Sequence, residues 1–321
     1  MNRFRFAWLA VALFALSPAF AIGQRAFTPP EGIAFKRVTI TSEGTRMVGE
    51  TFSLLSHGGK KRPTIVMCHG WGGTAAGLRR DAVVFARGGY FVVTFDYRGW
   101  GASDARVVLV GPAPKEKQEG AFTAQVREVR GVVDPIDQTT DLLNTVHWVH
   151  GEAQCDADKI GLWGSSYSGG HVVYAAARDQ RIKATVSQVA AFDSRWVIAN
   201  EQARQATFAK ATQRARGEAG YPKPFARELG NLIGAPIRER MINYAPVEDA
   251  GKAPNCAMLF VIAENEELFD NADHGILAHK RARGPKKLIV VEGIQHYGIY
   301  REKRAHAQQL ALAWYDEHLK P

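Results

Sequence analysis

The chain has 321 residues, of which 46% are hydrophobic and 23% are charged, and its formal net charge at pH 7 is +9. This length and composition fit one large globular domain and exclude a disordered, collagenous or disulfide-dependent chain. The basic residues are dispersed and accompany no nucleic-acid-binding motif. The positive charge therefore indicates a moderately basic surface and no nucleic-acid partner.

The N-terminus (residues 1–21) has the three-part pattern of a secretory signal peptide. Two arginines precede an unbroken apolar run at residues 6–16, and small residues for cleavage follow at 19 and 21. The apolar run is shorter than the roughly 20 residues that span a bilayer, which disfavours a membrane anchor. We therefore expect a mature domain of residues 22–321 in the periplasm or outside the cell, without stable membrane insertion.

From residue 35 onward, strand and helix patterns alternate. Short apolar or β-branched runs predict strands at residues 38–40, 48–54, 64–68, 91–95, 160–163, 184–189, 258–262 and 287–291. Amphipathic spacing and capping signals predict helices at residues 78–87, from 135, 169–178 and 305–319. Because near-continuous apolar strands alternate with helices, we expect an α/β fold with a mostly parallel central sheet covered by helices on both faces.

Two segments depart from this alternation. Residues 98–133 are rich in glycine, proline and charge, and we expect them to be irregular. Residues 192–245 are charged and helical in pattern, contain no predicted strand, and are interpreted as a helical cap inserted after a core strand. Cap and core are expected to form one continuous unit.

The three cysteines are Cys68, Cys155 and Cys256. Cys68 falls inside an apolar strand and is expected to be a packed thiol. Cys155 and Cys256 each precede a predicted strand, and whether they form a disulfide in an exported protein stays open. No spacing resembles a zinc site, so no metal is expected.

A short motif between the strand at 160–163 and the next helix is the main indication of function. Residues 164–168 match the pattern G-x-S-x-G with serine in the final position. Small neighbours allow a sharp turn, which would expose the hydroxyl of Ser166 at a helix N-terminus, where developing negative charge is favoured. We predict Ser166 as the nucleophile. Ser165 and Ser168 are weaker candidates, because neither has glycine two positions before it.

A histidine and a carboxylate follow two later strands, in the chain order that such a serine requires. His296 lies after the last predicted strand, where it would accept the Ser166 proton and return it to a leaving group. Several acidic residues follow the strand at 258–262, and we choose Glu266 as the residue that orients His296. The alternatives left open in the same loop are Glu264, Glu267 and Asp270.

The loop after the strand at 64–68 is rich in glycine and begins at His69. Such a loop presents backbone N–H groups to the oxyanion of a substrate. We predict that the donors are the backbone N–H groups of Trp71 and of Tyr167, which directly follows Ser166. No Gly-Lys-Ser/Thr sequence follows, which disfavours a phosphate-binding loop.

Together these residues resemble the α/β-hydrolase superfamily over nearly the whole expected mature chain. Residues 96–103 are similar to the Asp-x-Arg-Gly-x-Gly-x-Ser segment common in that superfamily, and residues 158–164 lead into the nucleophile in a similar way. The chain looks closest to the dienelactone-hydrolase-like and X-Pro dipeptidyl-peptidase-like groups. The Gly-x-Ser-Tyr-x-Gly pattern around Ser166 is similar to the second group, which includes acyl esterases.

The chain differs from each group at one site position. Dienelactone hydrolases use cysteine as nucleophile where this chain has Ser166. X-Pro peptidases usually take an oxyanion donor from a tyrosine hydroxyl, whereas Trp71 holds the comparable position here. The resemblance therefore implies a reaction class and leaves the substrate open.

We expect hydrolysis of a small-molecule carboxylic ester through an acyl-Ser166 intermediate, with no cofactor. Cleavage of an amide or short peptide is the second interpretation, motivated by the Tyr167 context and the helical cap. A binding protein that keeps the fold without catalysis is the third.

Overall fold

The computed structural model describes residues 27–320, so the predicted signal peptide lies outside the described residues. The strands are β1 Ile33–Ser42, β2 Thr45–Leu54, β3 Arg62–Cys68, β4 Phe91–Phe95, β5 Arg106–Leu109, β6 Val126–Val129, β7 Val132–Val133, β8 Cys155–Ser165, β9 Ile182–Gln188, β10 Ala235–Pro236, β11 Ala257–Ala263 and β12 Lys286–Val291. The helices are α1 Ala75–Arg87, α2 Pro135–His150, α3 Tyr167–Ala176, α4 Glu201–Ala215, α5 Arg238–Met241, α6 Gly275–Arg281 and α7 Arg304–Leu319.

One large sheet forms the centre of the fold. Its eight strands lie in the order β1-β2-β4-β3-β8-β9-β11-β12. β2 pairs antiparallel with both β1 and β4, and every pair from β4 to β12 is parallel. The expected α/β fold with a mostly parallel central sheet is confirmed.

Strand β3 shows why the core strands are apolar throughout. Ile65 and Met67 point into the cluster formed with helices α1 and α7, while Val66 and Cys68 point into the cluster formed with α2 and α3. All four side chains are fully buried. Successive side chains of a strand face opposite sides, so a sheet covered on both faces needs apolar residues at every position.

The segment that resembles the superfamily pattern at residues 96–103 has a structural role. The side chain of Asp96 accepts from the N–H of Ala75, the first residue of α1, at 2.7 Å. Arg98 donates from its backbone N and from its guanidinium to the buried carboxylate of Asp141 on α2, at distances of 2.6–2.8 Å. These bonds hold the loop after β4 between two helices.

The segment at residues 98–133 is more regular than expected. It contains the antiparallel hairpin β5–β6 and the short strand β7. The hairpin residues are mostly exposed or half-buried, so they show no buried apolar run of the kind that predicts a core strand. The expectation of an irregular segment is wrong at these strands.

The inserted segment at residues 192–245 contains helices α4 and α5, as its pattern predicts. The expectation that it holds no strand is wrong, because β10 pairs in parallel with β7. β10 has two residues, one of them proline, and a strand of this length is too short to show an alternating pattern. Next to β10, the carbonyl of Gly234 accepts a hydrogen bond from the Trp71 indole at 3.1 Å.

All three cysteines are buried free thiols. Cys155 opens β8 and Cys256 precedes β11, and these strands are separated in the sheet by β9. Strands two positions apart are about 10 Å from each other, which is beyond the reach of a disulfide. Burial raises the pKa of the Cys68 and Cys256 thiols to about 12, which fits the expected packing of Cys68.

Between residues 27 and 320, no helix has both the length and the apolar character needed to cross a membrane.

Candidate active site

Ser166 is the single residue between β8, which ends at Ser165, and α3, which begins at Tyr167. Its backbone has φ 58° and ψ −126°, a region that a residue with a side chain adopts only under strain of about 1–3 kcal/mol. Its N–H donates to the Gln188 carbonyl at 2.9 Å, and its carbonyl accepts from Gly169 and Ala191. The surrounding hydrogen bonds therefore maintain the strained turn, which presents the hydroxyl at the start of a helix.

Small residues around Ser166 make this turn possible, as the motif predicts. A Cβ on Gly164 would collide with the carbonyl oxygen of Ser168, and one on Gly169 would collide with the Ala190 side chain. The Ser168 hydroxyl accepts from the Ser165 N–H at 2.9 Å and lies 2.8 Å from the Cys68 carbonyl. Ser168 therefore stabilises the turn from within.

The two neighbouring serines have structural partners of their own. The Ser165 hydroxyl is 2.7 Å from the Tyr300 hydroxyl and 3.1 Å from the Gln188 amide nitrogen. Ser165 and Ser168 are both buried. Of the three serines in the motif, Ser166 is the one whose hydroxyl is hydrogen-bonded to a histidine nitrogen.

The structure brings Ser166, His296 and Glu266 into one hydrogen-bonded line. His296 Nε2 is 3.1 Å from Ser166 Oγ, and Nδ1 is 2.9 Å from each oxygen of the Glu266 carboxylate. The side chains of His296 and Glu266 are each 1% exposed. A carboxylate accepts, so Nδ1 carries the proton, and Nε2 presents a lone pair to the serine hydroxyl.

The three alternative acids accept hydrogen bonds from backbone N–H groups and not from the imidazole. The Glu267 carboxylate accepts from the backbone N–H of His296 at 2.7 Å, and the Glu264 carboxylate accepts from the N–H of Gly293 at 2.8 Å. Asp270 accepts from the N–H of Ala272 within its own turn. Among the four acids, Glu266 is therefore the one whose carboxylate is hydrogen-bonded to the imidazole.

The glycine-rich loop passes directly beside Ser166. A Cβ on Gly70 would lie 3.0 Å from the Cβ of Ser166. The Trp71 ring packs edge-on against Tyr167 with centroids 5.1 Å apart, and its indole N–H donates to the carbonyl of Gly234 in the inserted segment. Tyr167 opens α3, so no carbonyl one turn earlier in the helix receives its N–H. The oxyanion role of the two backbone N–H groups stays a prediction.

Two residues of the site were not singled out by the sequence. Tyr300, on the turn that begins at His296, places its hydroxyl against Ser165, and burial raises its pKa well above the usual tyrosine value. The sequence indicates Glu267 only as an alternative to Glu266, without its contact to the His296 backbone. The one sequence feature that could have indicated Tyr300 and Glu267 is that each lies close in sequence to a predicted site residue.

Of the other histidines, His171 is a core residue. It lies on α3 and is 1% exposed, with Nδ1 bonded to the Tyr244 hydroxyl and Nε2 3.1 Å from the Gln138 side-chain oxygen. Burial, assisted by the neighbouring His69, lowers the His171 pKa to about 3. His171 is therefore a neutral hydrogen-bonding residue beneath the site.

Aromatic and acidic side chains surround His296. The Tyr297 ring lies 5.2 Å and the Phe269 ring 5.8 Å from the imidazole, and Tyr297 is 44% exposed. A cavity of about 480 Å³ borders the acidic loop at residues 264–271. Within residues 27–320, no group of histidine, cysteine or acidic side chains is arranged to hold a metal ion.

The fold and this constellation have counterparts in known proteins. Residues 56–222 match the X-Pro dipeptidyl-peptidase (S15) family. An uncharacterized 31.7 kDa protein from the traX-finO intergenic region of Escherichia coli is 30% identical over 292 residues, which cover 82% of this chain and 93% of that protein.

Solved structures show the same fold at low sequence identity. The α/β hydrolase GrgF from Penicillium sp. sh18 has a TM-score of 0.69 and 19% identity, covering 89% of this chain and 99% of its own. An acetyl xylan esterase from Paenibacillus sp. R4 has a TM-score of 0.57 and 17% identity, covering 89% and 86%. The family match spans half of the chain, so this protein is an α/β hydrolase that belongs to the X-Pro dipeptidyl-peptidase (S15) family.

Proposed function

We propose that this hydrolase cleaves carboxylic esters of small molecules by a serine mechanism, with Ser166, His296 and Glu266 as its triad. The observation that carries the proposal is the unbroken chain of hydrogen bonds from the Ser166 hydroxyl through the His296 imidazole to the Glu266 carboxylate. That order and protonation pattern are what nucleophilic acyl transfer by serine requires.

The proposed reaction has two halves. Ser166 Oγ attacks the acyl carbon while His296 Nε2 takes its proton, and the resulting oxyanion accepts from the N–H groups of Trp71 and Tyr167. The C–O bond to the leaving alcohol then breaks, and the alcohol takes the proton from His296. Water attacks the acyl-Ser166 ester with His296 again as base, which releases the carboxylic acid and restores the hydroxyl.

Labelling with a fluorophosphonate probe tests the assignment without knowledge of the natural substrate. The wild-type chain from residue 22 should be labelled and should hydrolyse p-nitrophenyl acetate, and Ser166→Ala should lose both. Ser165→Ala is the matched control, because its hydroxyl contacts Tyr300 and Gln188, and it should still be labelled. Unchanged labelling of Ser166→Ala would refute the proposal.

Cleavage of a peptide bond after proline is the second candidate, favoured by the S15 family match. Against it, X-Pro peptidases usually use a tyrosine hydroxyl at the comparable loop position, and here the Trp71 indole N–H is bonded to Gly234. Comparison of kcat/KM for an aminoacyl-proline p-nitroanilide and p-nitrophenyl acetate decides between the two. A higher value for the anilide would favour the peptidase.

We also propose that the protein is exported to the periplasm or beyond. The support is the charged start, apolar run and small residues at positions 1–21, which lie outside the described structure. N-terminal sequencing of the protein recovered from the periplasmic or culture fraction should begin at Ile22. Recovery of the full-length chain from the cytoplasm would contradict this proposal.

A further inference from the structure

We propose that Glu267 is a positioning residue whose carboxylate holds the main chain of His296, so that the imidazole stays aligned between Glu266 and Ser166. The inference rests on the proposed function, because it assigns a role to the residue beside the triad acid. It gives two adjacent glutamates separate tasks on the same histidine.

The geometry gives His296 two attachment points on one loop. Glu267 Oε2 accepts from the His296 backbone N–H at 2.7 Å, while Glu266 accepts from the imidazole Nδ1 at 2.9 Å. A hydrogen bond to the side chain alone leaves the backbone free to shift and the ring free to tilt. A second bond at the main chain fixes the place from which the side chain extends.

The backbone N–H of His296 has no acceptor within its own turn. His296 opens the 3₁₀ turn His296–Tyr300, and the first N–H groups of a helical turn have no partner inside it. Glu267 is an exposed residue, so water could satisfy that N–H in its absence. Water is not covalently part of the acid loop, however, and would not fix the distance between the two loops.

Further bonds join the same two loops farther from His296. The N–H of Asn265 donates to the Ile294 carbonyl at 3.0 Å, and the Glu264 carboxylate accepts from Gly293 at 2.8 Å. Glu267 supplies the bond made to the histidine itself. The loss of Glu267 should therefore loosen His296 locally and leave the rest of the loop contact in place.

Asp270 provides a matched control in the same loop. Its carboxylate accepts from the N–H of Ala272 at 2.8 Å and makes no recorded hydrogen bond to the His296 segment within the described structure. Removing Asp270 takes away the same charge at a similar place in the chain. A difference between the two substitutions then reports the bond to His296.

The experiment compares Glu267→Ala, Glu267→Gln, Glu267→Asp and Asp270→Ala with the wild type. Each variant is measured for kcat and KM on p-nitrophenyl acetate, for the rate of Ser166 labelling by the fluorophosphonate probe, and for thermal unfolding. Misplacement of a reacting group lowers rates by about 10- to 100-fold, and we expect a loss of that size in kcat and in labelling for Glu267→Ala, with KM little changed.

The conservative variants separate positioning from a general structural role. Glu267→Gln keeps an oxygen acceptor of the same reach and should remain within about threefold of wild type, because the amide oxygen still accepts from the His296 N–H, although the neutral bond is weaker. Glu267→Asp keeps the charge but is one methylene shorter, and it should be impaired like Glu267→Ala. Asp270→Ala should match the wild type.

Full activity in Glu267→Ala would overturn the inference, and so would a Glu267→Gln variant as impaired as Glu267→Ala. If Glu267→Ala fails to fold, the contrast between Glu267→Gln and Glu267→Asp still decides. Failure of the proposed function has a different signature, since the wild type itself would then show no labelling that depends on Ser166.

Discussion

At the scale of single residues, Glu266 and Glu267 show how neighbouring side chains of the same type acquire different environments. The chain after β11 enters a loop that carries four acidic residues within seven positions. Glu266 turns inward until its side chain is 1% exposed, and Glu267 stays at the surface while reaching a backbone N–H. The two glutamates differ in the direction from which their side chains reach His296, and not in residue type.

Replacement of Glu266, the proposed triad acid, should reduce turnover strongly. In Glu266→Gln the amide has nearly the same shape, but its negative charge is lost and it can bind the wrong tautomer of His296. We expect kcat on p-nitrophenyl acetate to fall by about 10³- to 10⁴-fold, as expected when a triad carboxylate becomes an amide. Asp270→Asn should serve as the unaffected control. A Glu266→Gln variant with wild-type kcat would show that Glu266 is not the triad acid.

At the scale of elements, the loop after β3 joins the turn at Ser166 to the inserted segment at residues 192–245. Gly70 of that loop lies against Ser166, and the Trp71 indole donates to Gly234. A Cβ on Gly72 would lie only 2.8 Å from the Ile233 carbonyl oxygen, so the two segments are in close contact. The position of the insert and the position of the predicted oxyanion loop are therefore coupled.

Trp71→Phe should weaken this contact. The phenyl ring can still pack against Tyr167, but the Gly234 carbonyl loses its donor, and a lost hydrogen bond of this kind costs about 1 kcal/mol of unfolding free energy. We expect a lower denaturant midpoint together with a lower kcat on p-nitrophenyl acetate. Trp100→Phe is the comparison, because the Trp100 ring also lies against Gly234, but its indole donates to the Val132 carbonyl and not to Gly234. It should lose stability and keep kcat; equal losses of kcat in both variants would argue against a specific link at Trp71.

At the scale of the whole molecule, a buried group of hydrogen-bonded side chains joins α2, α3 and the inserted segment at residues 192–245. His171 on α3 is bonded to Tyr244 and Gln138 and is kept neutral by burial. In the unfolded chain this histidine has its ordinary pKa of about 6.5. Protonation is therefore coupled to folding at His171.

The pKa of His171 is about 3 in the folded protein, which is below its value in the unfolded chain. The unfolded chain binds the proton first, so the stabilisation is complete above about pH 6.5 and is lost as the pH falls toward 3. Over that whole pH range, a pKa difference of this size corresponds to a loss on the order of 5 kcal/mol. Denaturant unfolding at pH 7, 5 and 4 should show a smaller fall for His171→Gln than for wild type. His150→Gln, at an exposed position on α2, should follow the wild type, and parallel curves for all three proteins would contradict the assignment.

Most core elements could be predicted from sequence because their signals are local and strong. β4 occupies the predicted residues 91–95, and Asp134 caps α2 through the N–H groups of Ile136 and Asp137, as the Asp-Pro signal indicates. The β5–β6 hairpin and β10 were missed because the first shows no buried apolar run and the second has two residues. Short or exposed strands owe their pairing to the surroundings, which a local pattern does not contain.

Residue patterns along the chain are enough to predict the α/β class, the position of Ser166 in a small-residue turn, and the set of acids that contains the partner of His296. These depend on residue type and on spacing along one segment. The folded arrangement was needed to show that Glu266 contacts the imidazole while Glu267 contacts the backbone, and that Cys155 and Cys256 are too far apart to pair. Such choices depend on the relative placement of loops from different strands, and sheet order and register set that placement.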